Sequence, residues 1–565
     1  MSVAESISMS SNLFQKHEAR FSAARKACKE RFHWSPFPEA AALVTNNEAL
    51  SEQAEQTFQA LLNQPFDIAL PGIVDQVGDE ISPYTCKPLG ITYPRCNPDT
   101  LFNAAEIAMP DWAVLSPEAR IGILLEVIDA LEQQVFLMAK AVMHTAGQSP
   151  NMSFTGSGVN ALDRAIEALV YAYEAMSFTP TNARWERQFG KATISLDKTY
   201  RLVPRGVAVC FTCASFPTWN AWPSMMASLA TGNPVIVKPH PGSVLPMALS
   251  VKCFREVLAA YGQNPDLVTL QLDTRNEPLG KVLVKHPKTA IVDFTGSAQF
   301  GSWVEQNAHP ALCFTETAGV NTVVLDSCKD LDAVIRSLAT TMCMFSAQMC
   351  TSPQNIYLPK QGVREGDHWV GADEVRQRLA DAICAIATNP RKAAMIMATI
   401  QSPDTEKMLD QLAQQAEVIL ASSVYEHPDY PNARTRTPLM LKVTPNQREL
   451  YLGERFGPVS FVIECEDASE ALQQATQDVR AAGGLTAFLY STNEAFIAQA
   501  EQAYARAGAQ LTINLTGPMP LNFAAAYSDF HVTGLNPAGN ASLTELGFVA
   551  QRFRITQSRR QKDDR

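Results

Sequence analysis

The sequence predicts an α/β fold in which parallel β-sheets are covered by helices on both faces. From about residue 80 onward, continuous apolar runs alternate with segments whose apolar residues recur at helical spacing, a pattern typical of strand–helix–strand units. The chain has 565 residues, 46% of them hydrophobic, which is enough for two or three domains with large cores. A second series of strand-like runs predicts a further α/β domain that begins near residue 314.

The elements follow in order along the chain. Up to about residue 80, helical patterns are interrupted by prolines, which predicts an extension of helices and loops. Buried strands are predicted at the apolar runs GVAVCFT, PVIVKP, VTLQL, TAIVDFTGS and NTVVLD. Helices are predicted at ARIGILLEVIDALEQQVFLMAKAVM and DEVRQRLADAICAIA, and later strands at PVSFVIEC, LTAFLYS and QLTINLTG.

One segment departs from this alternation, ATISLDKTYRLVP at residues 192–204. Apolar and aromatic residues recur there at period two, which predicts a two-stranded ribbon projecting from the α/β body. Such a ribbon is marginally stable by itself, so we expect it to pair with another chain or with the C-terminal segment. The final residues, QSRRQKDDR, are rich in charge and are expected to form a solvated tail.

Composition and charge argue against several classes of function. The formal net charge is −11 and no dense block of Lys and Arg occurs, so a nucleic-acid partner is not expected. The first residues lack the pattern of a signal peptide and no apolar run reaches membrane-spanning length, which predicts a soluble cytoplasmic protein. Cys210 and Cys213 form a single C-x-x-C pair at the end of an apolar strand. Without a second pair, no metal site is predicted.

Two strand ends carry groups suited to a ligand with phosphates. In PVIVKPHPGS, a buried strand ends in Lys238, at the carboxyl end where parallel sheets bind ligands, although a surface lysine is equally compatible. In AIVDFTGSAQFG, another strand runs into Gly296 and Ser297 before a predicted helix. Free backbone N–H groups at such a junction bind anions and glycine permits a close approach, whereas an ordinary tight turn also uses glycine.

A carboxylate and a thiol follow these strands. Glu316 ends a short apolar run in LCFTETAG, where we expect a raised pKa and a general-base role, or simply a carboxylate that accepts backbone hydrogen bonds. Cys350 lies in FSAQMCTSP, after LDAVIRSLATTMCMFSAQM, which is expected to be helical. It is either one more buried thiol or a nucleophile at the end of that helix.

The order of these residues is more informative than any one of them. Lys238, the glycine turn, Glu316, Cys350 and Glu454 follow one another, and the general base and the thiol are 34 residues apart. In this order the motifs GNPVIVKP, FTGS, Q-x-C and E-x-FGPV resemble those of the aldehyde dehydrogenase superfamily, from about residue 85 to about residue 555. The motifs HWSPFPEA, ISPYTCKPLGITYP, AVMHTAGQSP and CFTCASFPTWNAWP are similar to those of its PaaN subgroup, associated with bacterial phenylacetate degradation.

The resemblance implies two interleaved α/β domains, a Rossmann-like cofactor domain and a catalytic domain, and a β-ribbon that forms a homodimer or homotetramer. The implied organisation is an N-terminal extension, an NAD(P)-binding domain with the ribbon at 190–204, a catalytic domain and a C-terminal segment that contributes to oligomerisation. Their ranges in the same order are 1–80, 81–313, 314–530 and 531–565.

The resemblance also implies a mechanism. Cys350 as thiolate attacks an aldehyde, hydride passes to NAD or NADP, and Glu316 activates the water that releases the acid from a thioester. Lys238 is implied to contact the adenosine ribose, and Glu454 to hold the nicotinamide ribose. Gly296 and Ser297 are implied to lie by the diphosphate, and Phe456 belongs to the same cofactor motif as Glu454.

Two departures from the family pattern bear on this mechanism. Most members donate to the oxyanion from an asparagine, where this chain has Ser215, whose hydroxyl is shorter. Many NAD-preferring members have a glutamate three residues after the strand-end lysine, where this chain has Pro241. NADP is therefore a candidate cofactor beside NAD.

Three outcomes remain open for the enzyme. The presence of Glu316 favours hydrolysis of the thioester to a carboxylic acid. The first alternative is an enzyme that transfers the acyl group to coenzyme A, and the second is a catalytically silent binding subunit. The subgroup suggests a ring-opened, coenzyme A-linked semialdehyde as the substrate, with ring opening supplied by a separate protein.

Overall fold

The computed structural model describes residues 12–518, 531–542 and 545–561. The helices of this part are α1 (Glu18–Glu30), α2 (Asn47–Leu61), α3 (Pro98–Ala113), α4 (Pro117–Gln133), α5 (Val135–Ala146), α6 (Pro150–Phe154), α7 (Asn160–Ser177), α8 (Pro217–Ala230), α9 (Leu245–Ala260), α10 (Gly280–Lys285), α11 (Ala298–Asn307), α12 (Leu331–Cys343), α13 (Ala372–Ala387), α14 (Pro390–Ile396), α15 (Pro403–Leu412), α16 (Arg448–Tyr451), α17 (Ala468–Ala482), α18 (Glu494–Ala507) and α19 (Leu546–Ala550).

The strands pair into two large sheets and three small ones. They are β1 (Ile73–Val77), β2 (Tyr93–Cys96), β3 (Asn182–Phe189), β4 (Ala192–Pro204), β5 (Val207–Phe211), β6 (Val235–Lys238), β7 (Val268–Leu270), β8 (Thr289–Thr295), β9 (Leu312–Glu316), β10 (Asn321–Leu325), β11 (Ser327–Cys328), β12 (Pro353–Pro359), β13 (Val363–Glu365), β14 (His368–Val370), β15 (Glu417–Leu420), β16 (Leu439–Val443), β17 (Val459–Cys465), β18 (Thr486–Tyr490), β19 (Gln510–Ile513) and β20 (Phe553–Gln561).

The first large sheet has the order β7-β6-β5-β8-β9, and all its neighbouring strands are parallel. Strand β5 is buried along its whole length, because helices cover both faces of the sheet. This arrangement confirms the predicted α/β fold. Since the strands are parallel, their carboxyl ends lie along one edge, which brings Lys238, Gly296 and Glu316 to the same side of the sheet.

The second large sheet has the order β15-β16-β17-β12-β10-β18-β19. Its pairs are parallel except β15–β16 at one edge, and separate apolar clusters lie on its two faces. The structure places the change of sheet between Glu316 and Asn321, because β9 still pairs with β8 of the first sheet. The predicted boundary at residue 314 therefore falls inside a strand, and the predicted domain end at residue 530 lies outside the described residues.

The ribbon differs from the prediction. Residues 192–204 form one long strand, β4, which pairs with β3 on one side and β20 on the other, both antiparallel. Pairing with the C-terminal segment is confirmed. The expected tail is wrong for residues 557–561, which belong to β20, because their backbone is bound in the ladder with β4; residues 562–565 lie outside the described part.

Arg552 fixes the point where the chain returns to the first domain. Its fully buried guanidinium donates two hydrogen bonds to the Asp293 carboxylate on β8, at 2.9 Å and 2.5 Å. The rings of Phe314 and Phe548 lie 4.5 Å and 4.2 Å from its Cζ atom. A buried charge with these partners anchors the C-terminal strand to the first sheet, so the two domains are interleaved along the chain.

The N-terminal extension packs on the first domain. Glu80 is buried and accepts hydrogen bonds from the backbone N–H groups of Val244 and Leu245, at 2.6 Å and 2.9 Å, at the start of α9. A carboxylate at a helix N-terminus interacts favourably with the helix dipole, so the extension stabilises a helix of the first domain. Within the described residues, no helix combines the length and the apolar character needed to cross a membrane.

Candidate active site

A cavity of about 720 Å³ lies at the carboxyl ends of the strands of the first sheet. It extends to loops of the second domain that carry Cys350 and Glu454. The predicted site residues that line it are Ser215, Lys238, Gly296, Ser297, Glu316, Cys350, Glu454 and Phe456. Pro241 is half-buried in the turn after β6 and is not among the described residues that line the cavity. The folding of the chain therefore brings together the groups that the sequence places up to 241 positions apart.

The nucleophile candidate is presented by an unusual turn. Helix α12 ends at Cys343, so the prediction of helix up to Met349 is wrong. Instead, Phe345, Ser346 and Ala347 have φ angles of 47°, 49° and 51°, in the left-handed region that residues with a Cβ atom avoid. Each such residue costs about 1 kcal/mol or more, so the surroundings must hold this turn in place.

Buried polar groups supply that support. The Ser346 hydroxyl donates to the Met397 carbonyl at 2.9 Å. The Gln348 amide donates to the Thr399 carbonyl at 2.8 Å and accepts from the Gln401 N–H at 2.8 Å. These bonds fix the backbone just before Cys350, so strain at this turn serves to aim one side chain into the cavity.

The residues after Cys350 are held from the second sheet. The Asn321 amide donates to the carbonyls of Cys350 and Ser352, at 2.7 Å and 2.8 Å. Its oxygen accepts from the N–H groups of Leu485 and Thr486 at the start of β18. Asn321 thus connects the loop of Cys350 to two strands.

Gln354 positions the loop that carries Glu454. Its amide donates to the carbonyls of Tyr451 and Gly453, at 3.0 Å and 3.2 Å, and accepts from the Arg455 N–H at 2.7 Å. Burial raises the pKa of Glu454 to about 7, so this carboxyl is partly protonated near neutral pH.

The electrostatic environment of Cys350 favours the neutral thiol. Burial, followed by the Glu316 carboxylate, Cys213 and Glu454, raises the pKa of the Cys350 thiol well above its usual range. The expected thiolate is therefore not the resting form, and a proton acceptor is needed before attack on a carbonyl. The side chain is nevertheless accessible, because Cys350 is half-buried and lines the cavity.

Glu316 lies at the end of β9 and is 2% exposed. Within the described residues, neither of its carboxylate oxygens has a hydrogen-bond partner. Its one ion-pair contact among the described residues is with His531, whose Nε2 atom lies 3.3 Å from a carboxylate oxygen. A buried carboxylate without a hydrogen bond is typical of a group that binds a ligand or water.

His531 is a site residue that the sequence did not reveal. Its Nε2 atom lies 3.3 Å from the Cys350 sulfur and 3.3 Å from a Glu316 carboxylate oxygen. The ring packs on Trp219, with 4.8 Å between ring centroids. No spacing or motif indicates this contact, because residues 531–542 reach the site only through tertiary structure, for example by the hydrogen bond from the Thr317 N–H to the Ala538 carbonyl.

The other end of the cavity is suited to a dinucleotide. The Lys238 ammonium forms a 2.6 Å ion pair with the Asp273 carboxylate; burial lowers the pKa of Lys238 and Asp273 partly opposes this effect. The turn at Gly296 has no room for a side chain, because a Cβ atom there would lie 2.7 Å from the Phe294 ring. Ser297 caps α11 by accepting a hydrogen bond from the Phe300 N–H. Because Ser297 also lines the cavity, the N-terminus of this helix faces the cavity.

Asp273 was also missed, although a signal existed. It immediately follows the predicted strand VTLQL, and the carboxyl end of a parallel strand is where a ligand contact is expected. Its other carboxylate oxygen accepts from the Leu279 N–H at 2.9 Å, so the side chain is held in one orientation.

The sequence model of the aldehyde dehydrogenase family matches residues 77–520. An NAD-dependent aldehyde dehydrogenase from Burkholderia multivorans has a crystal structure similar to this one, with 40% identity, a TM-score of 0.95, and coverage of 98% of this chain and 99% of that chain. The 1-pyrroline-5-carboxylate dehydrogenase 2 of Bacillus subtilis (strain 168) is 25% identical over 437 residues, 73% of this chain and 77% of that protein. A 1-pyrroline-5-carboxylate dehydrogenase from Thermus with bound NAD shares the fold, with 17% identity, a TM-score of 0.73, and coverage of 94% and 100%.

Proposed function

The chain belongs to the aldehyde dehydrogenase family, and from this premise we propose that it oxidises an aldehyde to a carboxylic acid by covalent catalysis at Cys350. The observation that carries the proposal is that the Cys350 thiol and the buried Glu316 carboxylate line the same cavity as the strand-end groups suited to NAD or NADP. A nucleophile and a base at one end of a cofactor cavity are what a thioester mechanism requires.

The residues of the chain act in sequence. Cys350 loses its proton and its sulfur adds to the aldehyde carbon, while the Ser215 hydroxyl and the Cys350 N–H donate to the carbonyl oxygen. Lys238, Gly296, Ser297 and Glu454 would hold the dinucleotide, whose nicotinamide would supply the hydride acceptor. Glu316 then takes a proton from the water that attacks the thioester, and the acid leaves.

Glu316 favours hydrolysis over transfer of the acyl group to coenzyme A. A base that activates water must be free of competing hydrogen bonds, and the Glu316 carboxylate accepts none within the described residues, where its one ion-pair contact is with His531 at 3.3 Å. Retention of the thiol, the base and the cofactor groups in one cavity argues against a silent binding subunit.

The direct test incubates the purified protein with aryl and medium-chain aldehydes and either dinucleotide. We expect nicotinamide reduction that matches the carboxylic acid formed, mole for mole. A coenzyme A thioester as the product, formed only when coenzyme A is added, would support the alternative, and no reduction with any aldehyde would contradict both enzymatic proposals.

Ser215 is expected to act as an oxyanion donor. Its hydroxyl lies 4.0 Å from the Cys213 sulfur, a weak contact that leaves it free to rotate toward a substrate. We predict that Ser215→Ala lowers kcat/KM about 10²-fold without changing cofactor affinity. The control is Ser302→Ala, an exposed serine on α11. Equal kcat/KM for the wild type and Ser215→Ala would assign the oxyanion to backbone donors alone.

A buried carboxylate bears on the choice of cofactor. The sequence lacks the glutamate that repels a 2′-phosphate, and the residue in its place, Pro241, cannot do so. The buried Asp273 carboxylate, 2.6 Å from the Lys238 ammonium, supplies a negative charge in the same cavity from a different strand. A carboxylate there accepts a hydrogen bond from a ribose hydroxyl and repels a phosphate, so we propose that the protein prefers NAD.

We predict that Asp273→Ser shifts the ratio of the dissociation constants of NAD and NADP by about tenfold or more toward NADP, because Lys238 is then free to pair with the 2′-phosphate. Calorimetric titration of each dinucleotide measures the ratio without any aldehyde present. The control is Glu277→Gln, which removes an exposed carboxylate from the same loop. An unchanged ratio in Asp273→Ser would show that the carboxylate does not select the cofactor.

The substrate and setting are proposed from the finer resemblance. The motif HWSPFPEA of the extension packs against α7, where the Ser35 hydroxyl donates to Asp163 at 2.9 Å. The PaaN motifs support a semialdehyde of aromatic degradation, free or coenzyme A-linked, as the substrate in the cytoplasm. Among the described residues, β3 and β20 are the unpaired edge strands of the sheet that contains β4, which supports the use of this ribbon in a homodimer or homotetramer.

A further inference from the structure

We propose that His531 is the base that takes the proton of the Cys350 thiol, so that the nucleophile forms as a thiolate–imidazolium pair beside Glu316. The proposal rests on the function proposed above and adds a catalytic residue from the C-terminal segment. Among the described residues, Nε2 of His531 is the ring nitrogen that faces the sulfur, at 3.3 Å. In its neutral form with a bare Nε2, the imidazole accepts the S–H proton.

The position of Glu316 explains why the transfer is favourable. After the proton moves, Nε2 carries it between two negative atoms, the Cys350 sulfur and a Glu316 oxygen, each 3.3 Å away. His531 is 3% exposed and Glu316 is 2% exposed, so water screens these charges little. Without an imidazolium, the same carboxylate opposes ionisation of the thiol.

The groups around the pair are consistent with this role. On the His531 side, the imidazole ring packs on the Trp219 ring, and the Cζ atom of Arg164 lies 4.4 Å from the centre of that same Trp219 ring. On the side of the sulfur, the groups that oppose a thiolate are Glu316, Cys213 and Glu454. His531 is therefore the nearest described group able to receive a proton and leave a compensating positive charge.

The proton balance closes over the cycle. The S–H bond breaks and an N–H bond forms at Nε2, while the sulfur keeps the electron pair that bonds to the aldehyde carbon. His531 holds this proton while the thioester exists. When water cleaves the thioester, the sulfur leaves with its electron pair and takes the proton back, and Glu316 passes the proton of the water to solvent.

The test measures alkylation of residue 350 by iodoacetamide as a function of pH, in the full-length protein without aldehyde or cofactor, with the modified peptide identified by mass spectrometry. We expect the pH at which the alkylation rate rises to be at least about one unit lower in the wild type than in His531→Gln. At neutral pH, alkylation of His531→Gln should be about tenfold slower than alkylation of the wild type. His368→Gln, which changes an exposed histidine of β14, is the control and should match the wild type.

Two further measurements separate a chemical from a structural role. His531→Phe keeps an aromatic ring against Trp219, so it should retain the fold by circular dichroism and yet show the same upward shift as His531→Gln. The thiolate absorbance that is lost in Cys350→Ser should titrate at a lower pH in the wild type than in His531→Gln. Superimposed alkylation profiles for the wild type and both variants, or a thiolate absorbance that titrates at the same pH in the wild type and in His531→Gln, would overturn the proposal. Since no aldehyde is used, a failure of the proposed function appears separately, as absent nicotinamide reduction.

Discussion

Cys350→Ala is expected to abolish aldehyde-dependent nicotinamide reduction, with a fall in kcat of at least about 10⁴-fold. Removal of the attacking atom leaves no route to a covalent adduct, and loss of a nucleophile in comparable enzymes costs about 10⁶-fold. The geometry supports a local effect, because the residue is held through its backbone by Asn321 and its side chain lines the cavity. Initial rates of nicotinamide reduction at saturating cofactor measure the change.

A matched substitution separates this effect from a general loss of folding. Cys384→Ala changes another half-buried cysteine, on α13, and should keep wild-type activity. Dinucleotide binding by Cys350→Ala should also persist, since the groups implied to hold the dinucleotide belong to other elements. Full activity in Cys350→Ala would remove the proposed mechanism.

The strand ends of the site could be predicted from the sequence because buried parallel strands appear there as continuous apolar runs. Lys238 and Glu316 end such runs and Gly296 follows one, and the shared carboxyl edge of a parallel sheet places them together. The order of these residues with Cys350 is enough to indicate the family from the sequence alone. Local pattern and global fold agree at these positions.

Other parts of the molecule carry no comparable local signal. Strand β3 reads NARWERQF, a mostly exposed and polar segment that is a strand only because β4 pairs with it. The left-handed residues 345–347 contain no glycine, so nothing in their sequence predicts a turn there, and the local pattern favours a helix instead. The surrounding hydrogen bonds, not local propensity, determine this conformation.

His531 was unpredictable for a different reason. It lies 181 residues from Cys350 and 215 from Glu316, in a segment without periodic pattern. Its position depends on how the C-terminal chain crosses between the sheets before Arg552 anchors it to Asp293. Other histidines have equally uninformative surroundings in the sequence, and tertiary packing alone decides which of them reaches the site.

Glu316→Gln is expected to separate the two halves of the reaction. The amide cannot take a proton from water, so release of the acid should fall about 10²- to 10⁴-fold. A first burst of reduced nicotinamide, close to one per active site, should persist, because thioester formation does not need this base. The rate of the burst should also fall, because a neutral amide in place of the carboxylate no longer stabilises the His531 imidazolium at 3.3 Å. This fall should be smaller than the fall in turnover.

Rapid-mixing measurements of nicotinamide absorbance or fluorescence resolve the burst from the steady state, and mass spectrometry of the quenched protein should detect the acyl group on Cys350. Glu501→Gln, which removes an exposed carboxylate on α18, should leave both phases unchanged. If burst and turnover in Glu316→Gln fall by the same factor and no acyl protein accumulates, Glu316 acts before the thioester forms. Its principal role would then be to stabilise the His531 imidazolium, and water would need another base.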